Sequence, residues 1–211
     1  MTPENELVRY EFSKDLLEQK PENLVFVDES GIKTGAGVNW GWSYSGNRLV
    51  EVRPKNQSKN LSMVVAIAAA GVLAAGCKLG SINGETFEGW VQEVLAPVLK
   101  PGQIVIMDNA SIHNRESVKD AIEKVGAKLW YQPAYSPELN AAEEWWAEVK
   151  GVAKRQVTDL GRKEIEELRR CVDYSMRWCS KANTEAYVRH VFEYARMTVV
   201  KYEARMMTNA A

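Results

Sequence analysis

Two short apolar runs each end in an aspartate: Leu24 to Asp28 reads LVFVD, and Ile104 to Asp108 reads IVIMD. Breakers precede both, KPEN at 20–23 and Pro101-Gly102. Runs of this length and composition between breakers are buried strands. A carboxylate at the C-terminal end of a buried strand stands at the rim of the sheet, where open α/β sheets place ligands. If the two strands are neighbours, their carboxylates converge and repel one another unless a cation lies between them. Mg²⁺ suits such a place, because it takes oxygen ligands and is held by one or two carboxylates together with substrate phosphates.

The rest of the chain builds around these strands. Residues 4–19 read as an amphipathic lead-in helix that ends at KPEN, so 1–22 form a lead-in segment and 23–211 one larger unit. GIKTGAG at 31–37 reads as a flexible loop. Residues 39–52 alternate around SGN at 45–47 and predict a hairpin turning near Gly46. Residues 62–70 and 72–79 read as two strands broken at Gly71, although their alanine content leaves a helix as an alternative. Helices are expected over 83–99, 115–125, 141–156, 161–180 and 184–206, with a strand at 128–131. Sequential strands followed by strand–helix alternation predict an α/β fold: a mixed central sheet flanked by helices, with extra C-terminal helices. An RNase H-like fold fits this order, and so do other α/β folds.

Composition narrows the chemistry. The chain has 211 residues, 27 Lys+Arg, 28 Asp+Glu and 45% hydrophobic residues, enough apolar content to bury a core. Residues 1–149 carry 14 basic and 20 acidic side chains, whereas residues 150–211 carry 13 and 8. An acidic front and a basic tail fit a metal-and-phosphate site beside a basic docking surface, and equally an ordinary solvated helical tail. Cys77, Cys171 and Cys179 form no paired spacing, which argues against a disulfide framework or a four-cysteine zinc site and favours an intracellular, cytoplasmic or nucleoid setting. No run is long enough to span a bilayer, and the N-terminus lacks the apolar stretch of a signal peptide. GIKTGAG lacks the ending of a phosphate-binding P-loop, and His113 and His190 carry no nucleophile-triad signature.

A third acid is expected on the helix after YSPELN. The apolar stripe Leu139, Ala142, Trp146, Val149, Ala153 fixes the inward face of that helix. Glu143 falls on the edge of the stripe, whereas Glu144 and Glu148 point away and Glu138 precedes the first turn. Glu143 is therefore the acid placed to reach inward and still meet solvent.

FVDES at 26–30, GWSYSGNR at 41–48, VIMDNASIH at 105–113 and YSPELNAAEEWW at 135–146 together resemble transposases of the IS630/Tc1/mariner superfamily. The four motifs occur in the family's order and span about residues 24–156. Thirty-four residues separate Asp108 from Glu143, the spacing typical of the Tc1-like and IS630 group. One departure is clear: Ala141-Ala142 stand where the family usually has Pro and a large aliphatic residue, which removes a helix-start signal.

The resemblance implies an RNase H-like catalytic domain with a DDE triad at Asp28, Asp108 and Glu143. It also implies Mg²⁺ or Mn²⁺ as cofactor, two ions in number, held by those three residues. The implied activity is cleavage of double-stranded DNA at transposon ends and joining of the 3′-OH to target DNA, with insertion at TA. Family members carry an N-terminal helix-turn-helix region and act as dimers. The expectation here is that this region is absent, so that either the chain is an excised domain or a separate polypeptide supplies end recognition, and a homodimer fits the family's habit.

Around the triad, Glu29, Asn109, Ser111, His113 and Asn140 are candidates to orient a ligand or touch DNA, with His113 alternatively a loop residue capping the next helix. Lys150, Lys154, Arg155, Arg162 and Lys163 are candidate phosphate contacts, or else a solvated helix face. Trp40 and Trp42 read as core or as stacking residues, and Trp145 and Trp146 as core. Two other functions fit the same sequence: a module for DNA or protein binding that has lost transposition, and a nuclease without strand transfer.

Overall fold

A computed structural model describes residues 2–33, 44–47, 60–159, 165–179 and 181–209. Trp40, Trp42, Arg162 and Lys163 lie outside the described residues, as does the predicted hairpin except for its tip. At that tip Gly46 adopts φ +83°, and the Asn47 N–H donates to the Tyr44 carbonyl at 2.9 Å, so the turn falls where SGN predicts it.

Helix α1 (Pro3–Leu17) leads into strand β1 (Leu24–Lys33), which is followed by β2 (Asn60–Ala68) and β3 (Gly71–Leu79). Helix α2 (Gly84–Trp90), β4 (Ile104–Met107), α3 (Glu116–Lys124) and β5 (Lys128–Tyr131) come next. The chain then runs through α4 (Ala141–Asp159), α5 (Ile165–Trp178) and α6 (Lys181–Asn209). The five strands form one sheet in the order β3-β2-β1-β4-β5. The β1–β2 and β2–β3 pairs are antiparallel, and β1–β4 and β4–β5 are parallel. The Ala-rich pair is therefore strand, turned at Gly71 with φ +125°, a conformation that glycine adopts without steric cost.

The alternation of β1 sorts its side chains between two cores. Leu24 and Phe26 face α4, α5 and α6 together with Trp145, Trp146, Val172 and Val191. Val25 and Val27 face α2 and α3 together with Phe87, Val118 and Ile122. Helices on both faces bury the sheet, which is why its central strands read as continuous apolar runs. Trp145 and Trp146 are core residues, as the sequence predicts, with ring centroids 4.8 Å apart.

Two expectations need correction. Gly31–Lys33 belong to β1 rather than to a loop: they pair with Ser62, Leu61 and Asn60, and that backbone pairing outweighs the local glycine content. The helix expected over 83–99 changes its winding. After α2 come a five-residue π turn at Val91–Leu95 and a 3₁₀ turn at Ala96–Val98, the latter holding Pro97, which has no N–H to continue the ladder. Among the described residues no helix is long and apolar enough to cross a membrane.

Candidate active site

The β1–β4 ladder pairs Leu24 with Ile104, Val25 with Val105 and Phe26 with Ile106. Asp28 follows two residues further along β1, and Asp108 stands immediately past the end of β4. Parallel neighbours present their C-terminal ends at the same rim, and even-numbered residues of both strands face α4. Asp28, Asp108 and Glu143 accordingly border one cleft of about 350 Å³, floored and walled by Asn109, Gln132, Ser136 and Asn140.

Asn140 sets the third acid in place. Its Oδ1 accepts from the Ala142 N–H at 3.0 Å and its carbonyl accepts from the Glu143 N–H at 3.2 Å. Its amide also reaches the Val27 carbonyl at 3.5 Å, one residue before Asp28. An asparagine cap thus starts α4 without the missing proline, and Ala141 and Ala142 pack in full burial against the core. The other acids of this region are engaged elsewhere. Glu138 pairs with Arg9 of α1, Glu144 with His190, and Glu148 with Asn183 and Tyr187 of α6.

The electrostatics of the cleft are one-sided. Burial pushes the Asp28 carboxyl up to about 7, and the charges of Glu143, Glu29 and Asp108 add to the rise. Asp108 goes the other way. The hydrogen bond from His113 holds it below the usual carboxylate range against the opposing effect of burial, and the Ala110 N–H donates to the same Oδ1 at 2.9 Å. His113 is fully buried, between Asp108 and Glu29. Burial disfavours its charge, but its bonds to Asp108 and Glu29 outweigh that cost and push the imidazole up to about 10. Lys150, two turns along α4, is half-buried within electrostatic reach of Glu143 and Asp28. Burial pulls its ammonium below the usual lysine range.

The remaining candidates fall out by position. Asn109 lines the cleft, Ser111 is exposed in the turn beyond it, and Arg155 is exposed while Lys154 is half-buried. Sequence reasoning missed two wall residues. Gln132 is buried, with its Nε2 donating to the Ser136 carbonyl and its Oε1 without a hydrogen-bond partner. Tyr135 is exposed at the rim with φ +56°, a strained conformation for a non-glycine residue. A tyrosine between Ala134 and Ser136 carries no sequence signal for that geometry.

The donor set suits a hard divalent cation. Asp28 Oδ1 and Asp108 Oδ1 accept backbone N–H groups, and both residues line the cleft. Burial is the main cause of the rise at Asp28, and the crowding of negative charge that adds to it is what a cation relieves. Among the described residues no three His, Cys, Asp or Glu side chains enclose a metal position by themselves. A protein shell of one or two carboxylates completed by water and substrate phosphate is the ordinary condition for Mg²⁺.

The sheet order and the helices on both faces are those of the RNase H-like fold. The chain superposes on the Mos1 transposase paired-end complex with left transposon end at TM-score 0.76 and 16% identity, covering 95% of this chain and 63% of that one. The Mos1 mariner paired-end complex with Mn gives 0.77 at 16% identity with the same coverage. The catalytic domain of Mos1 mariner transposase gives 0.67 at 16% identity, covering 95% of both chains. The chain thus spans 63% of the length of the transposase in the paired-end complexes. No curated protein matches it. Residues 23–164 match the profile of the DDE superfamily endonucleases, and the chain belongs to that family.

Proposed function

We propose that this chain is the catalytic domain of a Tc1/mariner-type transposase, cleaving phosphodiester bonds at transposon ends and joining the freed 3′-OH to target DNA. The observation that carries this reading is the convergence of Asp28, Asp108 and Glu143, from three separate elements, on one cleft. The family supports the endonuclease chemistry, and the fold is the one Mos1 transposase uses on transposon ends.

In this reading Asp28, Asp108 and Glu143 would hold divalent cations, Mg²⁺ or Mn²⁺, two in number. The cations would supply charge neutralisation on the scissile phosphate and a lowered pKa for the attacking water or 3′-OH. The protein residues set up that chemistry. Asp28 must give up its proton before it can act as a ligand, and its raised pKa makes that step pH-dependent. Asn140 fixes Glu143 relative to Asp28, and Lys150 offers a positive charge to the incoming phosphate at the edge of the cluster. Asn109 and the wall from Gln132 to Ser136 shape the channel for the DNA strand. Double-stranded DNA is the proposed partner, with Lys154 and Arg155 extending the basic surface along α4. A homodimer completes the proposed assembly, in an intracellular setting.

The test is Mg²⁺- or Mn²⁺-dependent cleavage of duplex DNA carrying the element's own ends, with joined products scored alongside nicks. Metal-dependent joining that is lost in Asp108→Ala supports the transposase. Nicks without joining indicate a nuclease. Absence of metal-dependent cleavage in the wild-type chain contradicts both.

A further inference from the structure

Glu29 follows Asp28 on β1 and so points to the opposite side of the sheet, toward α2 and α3. There its carboxylate meets His113: Nε2 lies 2.9 Å from Oε1 and 2.8 Å from Oε2. The other ring nitrogen, Nδ1, lies 2.6 Å from Asp108 Oδ1 and 3.0 Å from the Asp108 carbonyl. One imidazole therefore ties β1 to the end of β4 at the level of the paired aspartates. The ring has no room to swing. It is 0% exposed, its face lies 4.5 Å from the Phe87 ring, and Tyr131 donates its hydroxyl to the His113 carbonyl at 3.3 Å.

The bridge determines which part of Asp108 meets a ligand. Oδ1 receives both His113 and the Ala110 N–H, two bonds that hold the carboxylate in one orientation, and Oδ2 accepts no hydrogen bond among the described residues. A side chain built only to fill space at this position would be apolar, because burying an imidazole calls for a partner at each ring nitrogen, and here Asp108 and Glu29 supply them. Partners behind a metal ligand fix its orientation and are worth about 10–100-fold in metal affinity.

We propose that His113 is a positioning residue for Asp108 and that Glu29 orients His113, so that the Glu29–His113 pair presets one oxygen of Asp108 for a divalent cation. This inference rests on the reading of Asp28, Asp108 and Glu143 as metal-holding residues. Neither Glu29 nor His113 touches the reacting atoms.

The experiment is Mn²⁺ binding to the full chain, followed by electron paramagnetic resonance titration, with thermal melting measured on every variant. The wild-type chain binds Mn²⁺ and Asp108→Ala does not. His113→Ala weakens binding about tenfold or more, and Glu29→Gln weakens it in the same direction by less. His113→Asn, whose amide can take the place of Nδ1, recovers most of the affinity although its bond to Glu29 is gone. Wild-type affinity in both His113→Ala and Glu29→Gln, with Asp108→Ala still inactive in binding, overturns the positioning role and leaves the active-site reading standing. Undiminished binding by Asp108→Ala, or none by the wild-type chain, overturns the active-site reading itself. If His113→Ala does not fold, Glu29→Gln and His113→Asn decide at unchanged melting temperature: normal affinity in Glu29→Gln together with lost affinity in His113→Asn contradicts the proposal.

Discussion

Asp28 and Asp108 each lie two residues beyond the Phe26–Ile106 pair of the parallel β1–β4 ladder, Asp28 within β1 and Asp108 just past the end of β4. Both residues border the cleft that Glu143 closes, and His113 reaches Asp108 from the side of α2 and α3. Two carboxylates brought together by strand register, with a third delivered by a capped helix, leave Asp28 with more negative charge nearby than it can hold ionised at low pH.

Asp28 therefore makes the metal-free fold pH-sensitive. Its pKa of about 7 in the folded chain lies above the unfolded value of 3.8. The folded state thus binds this proton more tightly, and the Asp28 contribution favours folding as pH falls from about 7 toward 4 and opposes it as pH rises through 7. Asp28→Asn removes that penalty. We expect the variant to melt higher than wild type at pH 8 without divalent ions, by about 2–4 °C for each kcal/mol recovered, and to match it more closely at pH 5. Calorimetry at the two pH values checks this. Divalent-ion affinity runs the opposite way and falls below pH 7, because the cation needs the ionised form.

Asn140→Ala removes both the cap of α4 and the amide contact to the Val27 carbonyl. Loss of a helix cap costs about 0.5–2 kcal/mol, which denaturant melts will show. Activity should fall further than stability does, because Glu143 is the third residue of the helix so released. Asn140→Ser, which keeps a capping oxygen without adding charge to the acidic cleft, should recover part of the stability.

Ala142→Leu tests the close packing at the same helix start. Ala142 is fully buried against the core, and extra methylenes in a filled core cost about 1–3 kcal/mol. The expected outcome is a lower melting temperature. An unchanged melting temperature would mean that the site has room for the large aliphatic residue usual in the family.

Lys150→Gln tests the cation beside the cluster. The variant should bind duplex DNA more weakly and lower the slope of log affinity against log salt by about 1. Filter binding at several salt concentrations measures it. Lys150 lies within electrostatic reach of Asp28 and Glu143 whereas Arg155 is exposed further along α4, so Lys150→Gln should slow cleavage more than Arg155→Gln does.

Much of this site is legible in the sequence because its parts are local. A strand that ends in aspartate is read from five residues, and the stripe of Leu139, Ala142, Trp146 and Val149 picks Glu143 from four neighbouring acids. The parts that escape are those set by distant pairing. Gly31–Lys33 look like loop until β2 supplies their hydrogen bonds. Glu29 and His113 are 84 residues apart and meet only because β1 and β4 are neighbours. Asn140 carries a signal, since asparagine before a helix is a preferred cap, although the proline that usually follows it in the family is absent. The π turn after α2 has no sequence mark at all beyond Pro97.

The central claim is that Asp28, Asp108 and Glu143 hold a divalent cation. Anomalous diffraction from a crystal soaked in Mn²⁺, which takes the place of Mg²⁺ at oxygen-rich sites, tests it directly. The account predicts a peak within bonding distance of Asp28 and Asp108, with Glu143 turned toward it. A crystal that shows Mn²⁺ bound elsewhere, with the three carboxylates apart and this cleft empty, would contradict it.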